Sequence, residues 1–137
     1  MKTIEKYKIF LHEKSIDELQ FNSSLWISEL GFIDTEVSFI KHLIKSNLIK
    51  STVPNLFENL QLFIKELDSI KDEKNNLMND VHQYTNQLNG MVECDKLSCD
   101  NFYVIAYEKL AKELFNYLQV YKKLKTQIFE YLNGVLN

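Results

Sequence analysis

Few residues in this chain have the type and spacing to do chemistry. Cys94 and Cys99 stand close together in Glu93-Cys94-Asp95-Lys96-Leu97-Ser98-Cys99-Asp100, as a candidate redox pair or half of a metal site. A structural zinc takes four nitrogen or sulfur ligands, and no second Cys or His pair stands at matching spacing. The carboxylates of Glu93, Asp95 and Asp100 oppose formation of a thiolate, which disfavours reactivity. His12, His42 and His82 are isolated from one another. The residues three before them are Ile9, Phe39 and Asn79, so the Glu-x-x-His pattern of diiron carboxylate bundles is absent. No His-Glu-x-x-His occurs either. The sequence therefore assigns no catalytic residue, no metal ligand and no cofactor, and the chain reads as a non-enzyme.

The remaining chemically capable side chains fit a folded scaffold better than a site. Glu29, Glu36, Glu66, Asp68, Asp72 and Glu73 are spaced as the solvated faces of helices, not as an acid–base pair. Tyr103, Tyr107, Tyr117, Tyr121 and Tyr131 form an aromatic row, but a base-stacking platform works beside a basic groove. Only Lys122, Lys123 and Lys125 cluster near them. All 16 basic residues are Lys, so the guanidinium fork that reads guanine bidentately is missing. With a net charge of −3, the chain is not expected to bind nucleic acid sequence-specifically.

The elements that carry these residues are helices. The 137 residues include three Gly and one Pro, where average usage supplies roughly 16 of the two together. A sheet-rich domain needs more turn formers than that. Leu56, Leu60, Phe63, Leu67, Ile70, Lys74, Leu77, Val81, Tyr84 and Leu88 step by four and three, which keeps one stripe facing a neighbour. The polar run 71–76 does not break the phase of this stripe, so the spacing predicts one helix over about 55–89. Asn55 and Glu58 resemble a capping box at its start, and Gly90 a left-handed cap at its end. Tyr107, Leu110, Leu114, Tyr117, Tyr121, Leu124, Ile128, Tyr131 and Val135 predict another helix over about 101–136, with Ala111, Phe115, Leu118, Phe129, Leu132 and Leu136 broadening its apolar face. Asp100 or Ser98 caps its start. Trp26, Leu30, Ile33, Val37, Ile40 and Ile44, with Phe32, Phe39 and Leu43 alongside, predict a first helix over about 24–50, with Ser23 or Ser24 as its N-cap. Ser15-Ile16-Asp17-Glu18 opens a turn or two ahead of it.

The expected fold is all-α: an antiparallel up-down bundle of three long helices plus a short N-terminal helical segment. It forms a single domain over 1–137, with 1–22 as an extension and 23–137 as the core. Lys74 is the single polar member of the middle stripe. It either fixes register or partner specificity, or lets its ammonium reach water along its stem. The run Trp26-Ile27-Ser28-Glu29-Leu30-Gly31-Phe32, followed by Glu36 and the long hairpin, resembles small uncharacterised helical-bundle proteins of Bacteroidetes. That resemblance covers about 110 residues, implies an antiparallel bundle and brings no catalytic residue; the N-terminal extension departs from it.

The predicted first helix is shorter than the other two, and this leaves one end of the hairpin uncovered. Val81, Tyr84, Leu88, Phe102, Tyr103, Tyr107 and Leu110 lie there as candidate interaction residues. Residues 4–21 are expected to cover them in part, and a homodimer or another protein to complete the burial. The N-terminus is too charged for the core of a secretory signal, and no apolar run reaches the ~18 residues of a membrane span. A cytoplasmic location is expected. The expected function is a structural or protein–protein interaction module that self-associates through heptad faces. A small-molecule or metal-binding bundle, with a site near His82, Tyr84 and the Cys94/Cys99 loop, is the alternative. A toxin–antitoxin or immunity-like partner is a third.

Overall fold

The computed structural model describes residues 16–91 and 97–136. It is an all-α bundle of three helices: α1 Ile16–Ile44, α2 Leu56–Met91 and α3 Leu97–Val135. Among the described residues there is no strand, only an isolated bridge pairing Ile49 with Leu136. No described helix is long and apolar enough to cross a membrane.

α1 differs most from expectation. It begins at Ile16, directly after Ser15, and runs through Ser23 and Ser24 instead of starting there. Both serines turn their hydroxyls back along the helix: Ser23 Oγ donates to the Leu19 carbonyl at 2.8 Å and Ser24 Oγ to Gln20 at 3.1 Å. A serine that bonds the carbonyl four residues back is satisfied inside a helix and does not cap it. Leu19 and Ser23 are fully buried and extend the inward stripe of Leu30, Ile33, Val37 and Ile40 toward the N-terminus. The expected boundary at residue 24 is therefore corrected, and 16–22 is the first part of a long helix. At the other end α1 stops at Ile44, short of the expected Lys50. Ser46 takes the Leu43 carbonyl through both its amide and its hydroxyl, which closes a turn. Lys50 N then donates to the Val135 carbonyl at 2.8 Å, tying the connection to the end of α3.

α2 runs unbroken through the polar stretch 71–76. Asn55 precedes it with φ 58°, in the left-handed region that Asn tolerates better than most residues. A capping-box N-cap uses extended backbone, so the expected box is not what starts α2. The Val53 carbonyl instead accepts from Leu56 N, and the Asn55 carbonyl from Asn59 N. Gly90 lies inside α2, and no described Gly has a positive φ, so it is not the expected left-handed cap. α3 starts at Leu97, which places Ser98 and Asp100 inside the helix and not at its cap.

Each helix contributes to two compact units, one formed by residues up to Glu29 with Leu77–Phe115 and one by Leu30–Asn76 with Asn116–Asn137. In the first, Leu19, Leu77, Val81, Tyr84, Leu88, Leu110 and Leu114 form the buried core. In the second, the core is Ile33, Val37, Ile40, Leu67, Ile70, Leu124, Ile128 and Leu132, with Tyr117 and Tyr121. Within the second unit, Asp34 pairs with Lys74 and Lys41 with Asp68, which sets α1 antiparallel to α2. Tyr117 reaches Ile70 and Asn59 reaches Tyr131, which sets α3 antiparallel to α2.

Candidate functional site

The first unit gathers aromatic side chains from all three helices. The Trp26 and Tyr107 rings stack with centroids 5.2 Å apart, and Tyr84 lies 6.1 Å from Tyr107 in a tilted pair. Asn22 Nδ2 donates to the Tyr107 hydroxyl at 3.5 Å, and Tyr103 OH donates to the Gln87 carbonyl at 2.7 Å. Gln20 Nε2 donates to Asn89 Oδ1 at 2.7 Å, so the early part of α1 also bonds to α2. Burial first, then the neighbouring phenols of Tyr107 and Tyr103, holds the Tyr84 hydroxyl well above the ordinary value of 10.0. The Tyr84 hydroxyl is buried and has no hydrogen-bond partner among the described residues. Beside it, Asp80, Gln83, Gln87, Lys109 and Glu113 line an open groove of about 240 Å³.

These contacts decide the fate of the expected interaction face. Val81, Tyr84, Leu88 and Leu110 are buried within the chain, and Tyr103 and Tyr107 are half-buried. Only Phe102 is exposed, at 55%. The expectation of an open hairpin end rested on a first helix starting near residue 24. With α1 reaching back to Ile16, Leu19, Asn22, Ser23 and Trp26 belong to that end. The four buried side chains are core and present no open face.

The second unit holds the buried charges. Lys74 is only 4% exposed, and its Nζ donates to Asp34 Oδ2 at 2.6 Å. Its ammonium is paired with a carboxylate, which differs from a stem that snorkels to water. Asp34 is partly open, yet its Oδ1 is buried without a partner among the described residues. Glu36 accepts from Lys125 Nζ at 3.2 Å and from the Tyr121 hydroxyl at 3.2 Å, while the same ammonium lies 4.7 Å above the Tyr121 ring. Tyr117 OH donates to the Ile70 carbonyl at 2.8 Å. Burial is the first cause that raises the Tyr117 and Tyr121 hydroxyls well above 10.0. The carboxylates of Glu73 and Asp34 add to it for Tyr117, and that of Glu36 for Tyr121.

The other chemically capable residues do not converge. Cys94 lies outside the described residues; Cys99 falls in the first turn of α3, and its side chain is likewise outside them. His42 and His82 are exposed on different helices, and His12 is outside the described residues. Among the described residues no three His, Cys, Asp or Glu come together as a metal site.

Phe32 and Phe39, expected alongside the inward stripe of α1, lie instead on its outer surface. Phe21, Leu25, Phe32 and Phe39 are 63%, 47%, 59% and 65% exposed. With exposed Ser28, Thr35 and His42 they form one line at positions 21, 25, 28, 32, 35, 39 and 42. None of the seven is Asp, Glu or Lys. On α3, Phe115 and Phe129 have Lys122 between them, and Phe102 and Ile105 are followed by Lys109 and Lys112; Phe57 and Leu62 are exposed on α2. Phe115 and Phe129 were expected to broaden the buried face of α3, but they lie outside it. The sequence signal for the α1 line was a second four-three spacing on the same helix, out of phase with the first.

Against models of protein families, curated proteins and solved structures, the chain matches none.

Proposed function

We propose that the chain is a non-enzymatic protein–protein interaction module whose docking surface is the outer stripe of α1. The single observation that carries this reading is the uncharged line of Phe21, Leu25, Phe32 and Phe39, exposed along about five turns of one helix. Contiguous exposed apolar surface on a folded chain marks an interaction site. Helix faces of this kind are read by a partner through anchors spaced at one and two turns. The apolar stripes of α2 and α3, by contrast, are used inside the chain.

Site-specific photo-cross-linking in the native cell tests the reading. A photoreactive phenylalanine analogue at Phe32 is expected to give discrete protein adducts, and the same group at exposed Gln61 on α2 none. Absence of adducts at position 32, or equal adducts at 61, refutes it.

A second reading has one observation in its favour. The unpartnered Tyr84 hydroxyl and the groove beside it support a small polar ligand held between α2 and α3 in the first unit. Stoichiometric metal or a co-purifying small molecule in protein prepared without a His tag supports this reading over the first; a ligand-free preparation counts against it.

A further inference from the structure

We infer that the outer stripe of α1 docks the same stripe of a second copy, running antiparallel about a twofold axis beside Leu30; this rests on the reading of the chain as an interaction module and names its partner. α1 is one continuous helix, so the spacing of the stripe is set by that helix alone. Its four-three alternation is that of a coiled-coil seam, in which side chains of one helix fill gaps between those of the other.

The order of large and small residues selects the direction. Reversal about Leu30 sets Phe32 against Ser28 of the second copy, Leu25 against Thr35, and Phe21 against Phe39. Two of these three layers place a large side chain over a small one, as a well-filled interface requires. Parallel pairing would set Phe32 on Phe32 and Ser28 on Ser28, crowding one layer and emptying the next. Ser24, Gly31 and Ser38 flank the seam at seven-residue spacing, and nothing lies within 4 Å of where a Cβ on Gly31 would sit. These small residues let two helix backbones approach across the axis.

The area is sufficient. At their observed exposures the three Phe and Leu25 leave roughly 450 Å² uncovered per chain. A twofold pair can hide up to about 900 Å² from these side chains, and Ser24, Ser28, Thr35 and Ser38 beside them bring the available surface to the ~1,000 Å² of a specific interface.

Sedimentation equilibrium on the full chain tests the partner. The chain is expected to dimerise. F32K is expected to weaken the dimer at least about 100-fold, because every dimer carries the change twice at a central layer. F129K, on an exposed Phe of α3, should leave it unchanged; far-UV circular dichroism confirms that both variants fold. Direction is tested with Cys94→Ser and Cys99→Ser in place. F21C and F39C chains should be joined by a short bismaleimide only when mixed. A monomer at about 100 µM overturns the inference, while photo-cross-links from position 32 to a different protein would leave the module reading standing. A dimer insensitive to F32K overturns the choice of face. Rapid linking within F21C or F39C alone overturns the reversed direction.

Discussion

Removing either partner of the Asp34–Lys74 pair has opposite consequences, and the structure fixes which is worse. Lys74 is 4% exposed and its ammonium has one anionic partner among the described residues, 2.6 Å away, while the Asp34 side chain is 43% exposed. Asp34→Ala leaves an ammonium inside the core of the second unit with nothing to neutralise it. Orphaning one member of a fully buried pair costs about 3–5 kcal/mol. Water reaches Asp34, so the pair is worth less than a fully buried one, and about 2–3 kcal/mol is the expected loss. Lys74→Met keeps the length of the stem, removes the buried charge and leaves a carboxylate that is 43% exposed, although its Oδ1 is buried. It should be neutral or stabilising by about 1 kcal/mol. The double variant is then expected within about 0.5 kcal/mol of the parent, giving a coupling of about 1–3 kcal/mol. Urea unfolding followed by circular dichroism, at one protein concentration and with the slope held constant, measures each step. For a chain of this length about 2–3 kcal/mol corresponds to a fall in Tm of roughly 6–10 °C. If Lys74→Met destabilises more than Asp34→Ala, the pair is held by the packing of the Lys74 stem and the electrostatic argument is wrong.

Two further expectations concern the tyrosines. Tyr84, Tyr117 and Tyr121 all have hydroxyls raised well above 10.0, with burial the first cause. The folded state keeps these protons where the unfolded chain releases them. Their contribution to stability is complete below about pH 10 and is lost as pH rises above it toward the folded values. Absorbance at 295 nm should show their ionisation together with unfolding; three normal titrations in a still-helical protein would refute this. Tyr84→Phe deletes a buried hydroxyl that has no partner, and should leave stability unchanged or raise it by up to about 1 kcal/mol. Tyr117→Phe removes the bond to the Ile70 carbonyl and should cost about 1 kcal/mol, so the reverse order in chemical denaturation would count against the hydrogen-bond assignments.

The sequence by itself determined that this chain is helical, and roughly where. Four Gly and Pro residues cannot supply the turns of a sheet. The heptad from Leu60 through Leu88 keeps its phase across 71–76, so α2 was legible as one helix although its middle is wholly polar. The inward faces of α2 and α3 followed from the same spacing, because a helix that buries one stripe repeats it every three or four residues. Lys74 was legible as an exception for the same reason.

Tertiary structure decided the rest, and each difference has a local cause. The start of α1 was hidden because serine both caps helices and sits inside them; which it does depends on whether its hydroxyl meets an amide or the carbonyl four residues back. Ser23 meets the Leu19 carbonyl and is buried, so the inward stripe passes through it. That one choice moved Val81, Tyr84, Leu88 and Leu110 from an open surface into the core. It also lengthened α1 enough to give its outer side a stripe of its own. Apolar spacing shows that Phe21, Leu25, Phe32 and Phe39 share a face but not whether anything in the same chain covers it. Nor could spacing show that the ammonium of Lys74 would meet the carboxylate of Asp34, forty residues earlier. Periodicity describes one helix at a time. Burial and charge pairing belong to sets of helices, and only their packing fixes which faces are left for a partner.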